Sequence, residues 1–179
     1  MRIQIVQASA LGSTAEIADA IGRALERRGH RVVVEDAAAA DDPGLFGACV
    51  IGSAVHGGHW LEPARAFVRS YAATLAERPV WLFSVGPLGV VDPSAITEPA
   101  EIDEFRRAIG PRGHQVFFGA HDRTSPAIER LPRVERFVAR RFIPSGDFRD
   151  WPAIERWANR IADGLGPVPA IEPLAAAPR

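Results

Sequence analysis

The chain reads as an α/β domain, a parallel sheet covered by helices on both faces. Short, continuously apolar segments recur (IQIVQA at 3–8, ACVIGS at 48–53, PVWLFSVG at 79–86), and segments of helical period alternate with them. Strands buried on both faces read as unbroken apolar runs, and helices between them supply the crossovers that parallel strands require.

The first strand, 3–8, is β-branched and bounded by Ser9 and Gly12. From Thr14, Ile17, Ala18, Ile21, Ala24 and Leu25 recur at helical spacing while Glu16, Asp19, Arg23, Glu26 and Arg27 fall elsewhere, so a helix with one dry face is expected, ended by Gly29. RVVVE (31–35) is a second strand, and the Ala-Asp stretch up to Gly47 is a connection with one short helical turn. ACVIGS (48–53) is the third strand, and Leu61 to Ala76 returns to helical period with Ala66, Phe67, Tyr71 and Leu75 on one side and Pro63 in the first turn. PVWLFSVG (79–86) is the fourth strand and GHQVFFGA (113–120) the fifth, separated by a Pro-rich loop and a short helix from Glu101 to Ile109. A last amphipathic helix, Trp151 to Leu165, presents Ile154, Trp157, Ala158, Ile161 and Ala162. Residues 1–164 form one domain, and 165–179 are a Pro-rich tail.

With 179 residues, 47% of them hydrophobic, the chain can bury one good core. A net charge of -1 gives no drive toward nucleic acid. Cys49 has no partner for an internal disulfide and sits in an apolar run, which places it in the core. No apolar run reaches the length of about 18 residues that a spanning helix needs, and the N-terminus enters a strand directly, so a cytoplasmic location is expected.

In a parallel sheet, ligands sit at the carboxyl ends of the strands. Three loops meet there. The first, S-A-L-G-S-T (9–14), opens a helix whose leading amides and dipole favour an anion. It has one glycine, not the three of a dinucleotide fingerprint, and the chain has no lysine for a Walker A loop, all 21 basic residues being arginine. Hydroxyls and amides without lysine suit a terminal monophosphate, although Ser13 or Thr14 could equally cap the helix. The second loop, S-A-V-H-G-G-H-W (53–60), and the third, V-G-P-L-G (85–89), are glycine-rich and uncharged, so backbone can approach a flat ligand. A phosphate site beside two such walls is the arrangement flavin mononucleotide (FMN) needs.

At these residues the chain resembles the flavodoxin-fold proteins, and more closely the flavodoxin-domain family that includes the menaquinone-dependent protoporphyrinogen dehydrogenases. The resemblance is carried by ASALGSTAEIA (8–18), VIGSAVHGGHWLEPARAFV (50–68), VWLFSVGPLG (80–89), VFFGAHDR (116–123) and SGDFRDWPAIERWA (145–158). It implies a flavodoxin-like five-stranded parallel sheet of order 2-1-3-4-5 in a three-layer α/β/α arrangement. It also implies FMN as cofactor, with Ser9, Ala10, Leu11, Gly12, Ser13 and Thr14 around the phosphate. Ser53, Ala54, Val55, His56, Gly57 and Trp60 would form one flavin wall, and Val85, Gly86, Pro87, Leu88 and Gly89 the other. The chain departs from the pattern at Leu11, where flavodoxins commonly place another hydroxyl, and in lacking an aromatic after the fourth strand.

His56 is expected to border the flavin; His59 is a weaker candidate, and Trp60 could instead pack beneath the loop. Trp81 reads as core, while Trp151, Trp157 and Phe148 seat the last helix. From 125 to 143 the sequence SPAIERLPRVERFVARRFI reads as an amphipathic helix bearing Arg130, Arg133, Arg136, Arg140 and Arg141 against two glutamates. Such a stripe suits peripheral contact with the inner face of a membrane, an acidic partner or an anionic substrate, or is simply a solvated face.

The function expected is an FMN-dependent oxidoreductase, with protoporphyrinogen IX the best single substrate and a quinone or redox protein the electron acceptor. No catalytic residue and no metal ligand is assigned, because the cofactor carries the hard step. The rivals are a flavodoxin-type electron carrier, which predicts an acidic rim, and a flavin-free interaction module on the same fold. A response-regulator receiver is excluded by Ser53 at the third strand's end and by the absence of lysine.

Overall fold

The computed structural model describes residues 1–86, 98–122 and 145–166, together with Ile128, Arg133, Arg136 and Phe137. Its elements, in chain order, are β1 (Arg2–Ala8), α1 (Ser13–Arg27), β2 (Arg31–Asp36), a 3-10 turn (Pro43–Leu45), β3 (Ala48–His56), β4 (His59–Trp60), α2 (Glu62–Ser70), α3 (Ala72–Ala76), β5 (Val80–Val85), α4 (Ile102–Ile109), β6 (Gly113–Phe117), β7 (Ala120–His121), β8 (Gly146–Asp147) and the last helix, here α5 (Trp151–Leu165). The main sheet runs β2-β1-β3-β5-β6, every pair parallel, with β4 folded back antiparallel on β3. Counting the parallel strands alone, this is the expected order 2-1-3-4-5, and a separate two-stranded ribbon pairs β7 with β8.

Strand alternation divides the apolar residues between two layers. Ile3, Ile5, Val50, Trp81, Phe83 and Val85 pack with Ile17, Ile21 and Leu25 of α1 and Ile154, Trp157 and Ile161 of α5. On the other face Val6, Cys49, Ile51 and Leu82 meet Phe67 and Val68 of α2, Leu75 of α3, and Ile102 and Phe105 of α4. Both long helices bury the stripes expected of them. Burial pushes the Cys49 thiol up to about 12, so it is an inert core group.

One glycine fixes how the first layer packs. Gly52 lies opposite Phe83 in the β3–β5 register, and a Cβ there would sit 2.0 Å from the ring. The bare backbone lets Phe83 lie flat on the sheet, edge-on to Trp157 with ring centroids 6.0 Å apart.

Three local expectations are corrected. The segment 61–76 is two helices, broken at Tyr71 (φ -109°), so that α3 turns to pack against α4 and the 3-10 turn. Its buried face is Ala64, Phe67, Val68 and Leu75, whereas Ala66 is exposed. Phe148 and Trp151 are 37% and 39% exposed, so of the residues expected to seat α5 only Trp157 lies in the core. The expected helix at 125–143 and the tail from 167 on lie largely outside the described residues.

Candidate functional site

Register brings the three loops together. Ala8 pairs with Ser53 and Ser53 with Ser84, so β1, β3 and β5 reach their carboxyl ends side by side.

The turn after β1 holds its shape by one internal bond, Gly12 N–H to Ser9 Oγ at 2.9 Å. Gly12 is the residue before α1 and adopts φ 97°, a conformation side chains rarely take, with nothing within 4 Å of where a Cβ would be. Among the described residues no side chain caps α1. The first-turn amides are therefore free of any side-chain acceptor, which sets aside the capping role that Ser13 and Thr14 could have played. Thr14 is fully buried, and among the described residues its Oγ1 has no hydrogen-bond partner. A buried hydroxyl without a partner costs about 1–3 kcal/mol. An anion accepting from this hydroxyl and the neighbouring amides would remove that cost. Ser9, Leu11 and Ser13 are half-buried around the same turn and Ala10 is exposed.

The second loop is mostly a β-hairpin. Val55 pairs with Trp60 and His56 with His59, and Gly57 and Gly58 (φ 59° and 82°) make the two-residue turn. Positive φ at both central residues is what a type I′ hairpin turn requires, which explains the Gly-Gly pair. Ala54 and Val55 are half-buried, and His56 and Gly57 are exposed at the tip. Ser53 and Trp60 are buried behind it. The Ser53 hydroxyl accepts from Leu61 N–H (2.9 Å) and donates to Ala54 O (2.8 Å). The Trp60 indole packs edge-on to Phe105 at 5.3 Å and donates to Ser84 Oγ at 2.7 Å. These two side chains support the wall from within the core, and the tip residues and backbone present it.

At the end of β5, Val85 is buried in the α1–α5 layer. Gly86 follows with φ 146°, its N–H bonded to Phe117 O and its Cα within reach of Val55, where a Cβ would lie 3.4 Å from Val55 Cβ. The third loop thus begins in contact with the second. Pro87, Leu88 and Gly89 lie outside the described residues.

Two carboxylates that pattern reading passed over organise this end of the sheet. Glu101 is nearly buried and takes bonds from His59 Nδ1–H (2.7 Å), Trp60 N–H (3.2 Å) and Arg65 (3.2 Å), while Ala100 N–H reaches Gly58 O. Burial alone would raise the Glu101 carboxyl, but the donors outweigh it and hold it below its ordinary value. Glu98 accepts from Arg106 (2.7 Å) and His114 Nδ1–H (2.8 Å), and the arginine bond foremost lowers its carboxyl. His114 is pushed down by burial, against the pull of Glu98. Its neutral Nε2 then accepts from Ser84 Oγ at 2.8 Å, completing a line from Trp60 through Ser84 and His114 to Glu98. The only sequence signal for either carboxylate is its place in E-P-A-E (98–101), just before α4.

On the α1 side, Arg149 forms a forked pair with Asp147 (Nε and Nη2, both 2.7 Å), reaches Glu16 with Nη1 (2.5 Å) and lies 4.5 Å over the Trp151 ring. Among the described residues no cluster of His, Cys, Asp or Glu could hold a metal ion, and no helix is long and apolar enough to cross a membrane.

The sequence from residue 4 to 125 matches the family model described as "Flavodoxin domain". No curated protein matches the chain at a significant level. Among solved structures it is similar to a flavodoxin from the domain Archaea, with 17% identity over 92% of this chain and 99% of that one and a TM-score of 0.62. A flavodoxin of Streptococcus pneumoniae TIGR4 matches at 18% identity over 92% and 99% of the two chains, TM-score 0.59. Rubredoxin oxygen:oxidoreductase of Desulfovibrio gigas matches at 13% identity over 92% of this chain but 36% of its own, TM-score 0.58.

Proposed function

Since the chain belongs to the flavodoxin-domain family, whose cofactor is FMN, we propose that it is an FMN-dependent oxidoreductase that takes electrons from a small-molecule donor and passes them to a quinone or a redox protein. The partnerless, buried Thr14 hydroxyl in the uncapped first turn of α1 carries this reading, because it supplies a donor where an anion's oxygen is wanted. Ser9, Ser13, Thr14 and the amides after Gly12 would hold the phosphate. The hairpin tip at His56–Gly57 and the backbone at Gly86 would flank the isoalloxazine. Bound flavin supplies reversible one- and two-electron chemistry, and the protein's own part is to bind, orient and shield it.

Protoporphyrinogen IX is the substrate we favour, on the resemblance of the 50–68 and 145–158 segments and the five-arginine stripe at 125–143, whose charge suits propionates and an anionic membrane surface. On this reading the protein works in the cytoplasm, peripherally at the inner face of the membrane. Arg133 and Arg136 of the stripe are described; Arg130, Arg140 and Arg141 lie outside the described residues. A flavodoxin-type electron carrier is the second reading, favoured by the coverage of nearly the whole of two flavodoxins.

Protein purified with added FMN and freed of excess should keep flavin absorption bands. Their absence at high FMN would leave the flavin-free interaction module as the reading. Turnover of protoporphyrinogen with menaquinone then separates enzyme from carrier. Charge reversal of Arg136, Arg140 and Arg141 should weaken association with anionic vesicles, and unchanged association would rule out the membrane role.

A further inference from the structure

Glu16 stands in the first turn of α1, beside the turn read above as the phosphate cradle. A carboxylate there is attracted by the same free amides and dipole that attract a phosphate, so the two anions compete. The structure resolves the competition through Arg149, which draws the Glu16 carboxylate to Nη1 at 2.5 Å. Arg149 is itself immobilised: its side chain is 10% exposed, Asp147 grips Nε and Nη2 at 2.7 Å, the Asp147 carboxylate also accepts its backbone N–H at 3.1 Å, and the guanidinium stacks on Trp151. Such a fork-on-carboxylate clasp holds direction as well as charge. Among the described residues the cluster has two carboxylates and one guanidinium, so removing Arg149 takes it from one net negative charge to two and frees Glu16 to turn toward the α1 amides.

We propose that Arg149 is a positioning residue for cofactor selection: by holding Glu16 away from the N-terminus of α1, it keeps that end open to a phosphate and so favours FMN over riboflavin. The inference rests on FMN binding as proposed above. Arg149 does not touch the cofactor in this account. It acts through Glu16, and its effect scales with the charge on the ligand, about -1.5 to -2 for a phosphate monoester at neutral pH and zero for riboflavin.

The test is titration of the apo protein with FMN and with riboflavin, followed by flavin fluorescence, at low salt and near 1 M salt. Arg149→Met should weaken FMN about three- to tenfold at low salt, since the Glu16 carboxylate that it releases is well exposed and screened, and should leave riboflavin unchanged. At high salt most of the direct charge effect should vanish. Glu16→Gln, at a side chain 61% exposed and so without risk to folding, should strengthen FMN and not riboflavin, and the double variant should bind FMN at least as well as wild type. Equal losses for FMN and riboflavin in Arg149→Met, or an unimproved double variant, would make the clasp structural only and overturn the proposal. Wild-type protein that binds neither flavin overturns the cofactor reading itself, a result distinct from both.

Discussion

Replacing Thr14 by valine should move the apo protein and the cofactor complex in opposite directions. Valine keeps the shape and volume of the side chain while deleting a hydroxyl that is fully buried and has no partner. The unfolded chain hydrates that hydroxyl and the folded apo protein does not, so the native residue carries a penalty of about 1–3 kcal/mol that valine removes. For a domain of this size each kcal/mol is worth about 2–4 °C in Tm, and apo Thr14→Val should melt at least that much higher. With FMN bound, the same hydroxyl becomes a donor to a charged oxygen, a bond worth about 1.5–3 kcal/mol, so the variant should bind FMN roughly 10- to 150-fold more weakly. Calorimetric melting of apo protein and fluorescence titration with FMN measure the two signs separately. An apo Tm unchanged or lowered, or an FMN affinity within twofold of wild type, would refute the claim that this hydroxyl waits for a phosphate.

Gly52→Ala should cost about 3 kcal/mol or more, at the upper end of overpacking, because a Cβ 2.0 Å from the Phe83 ring forces it off the sheet and away from Trp157; a urea midpoint equal to wild type would contradict the packing described. Glu101→Ala strips the acceptor from His59, Trp60 N–H and Arg65, so a loss of about 2–4 kcal/mol is expected in chemical denaturation, with Glu101→Gln losing less. Burial holds His114 below its ordinary value, so the unfolded chain takes up a proton at a higher pH than the folded one, and stability should fall as pH drops below about 6.5. His114→Gln should flatten that part of the profile, whereas the losses tied to Glu98 and Glu101, whose carboxyls are lowered, come further down, as pH falls through their folded values.

The strands and long helices were legible because their burial is one-sided or complete and so writes a period into the chain. Ile17, Ala18, Ile21, Ala24 and Leu25, and Ile154, Trp157, Ala158, Ile161 and Ala162, are buried as their spacing requires. The turn at Tyr71 left no such mark: an alanine-rich stretch keeps helical period through a bend, and only packing of α3 on α4 reveals it. The hairpin was written in the sequence as His-Gly-Gly-His, yet its paired stretch is only two residues long, so alternation could not show. Trp60 looked like a site residue because it stands beside glycines and histidines. Its indole turns inward because Ser84, far along the chain, offers an acceptor. The His59–Glu101, His114–Glu98 and Arg149–Glu16 contacts likewise join residues 16 to 133 positions apart, and no local pattern records such pairs.

The line from Ser84 through His114 to Glu98 has the hydrogen-bond order of a nucleophilic triad, and what it does is decided by burial rather than by the residues present. Ser84 is fully buried and, unlike the partnerless Thr14 hydroxyl, its oxygen is already engaged, accepting from Trp60 Nε1–H at 2.7 Å while donating to His114 Nε2 at 2.8 Å, so it is not an open nucleophile. The consequence of the line is geometric. It ties β4, through Trp60, to β5, through Ser84, to β6, through His114, and on to Glu98, a few residues ahead of α4. Glu101, three residues on, ties the same segment to the hairpin through His59 and Trp60 N–H and to α2 through Arg65, while Ala100 N–H reaches Gly58 O. Both the hairpin and the end of β5 are thus fixed to one short acidic segment, whose two carboxylates are taken up in those bonds. A flat, uncharged ring asks for that combination, and a hydrolytic site, which needs its nucleophile open to substrate, does not.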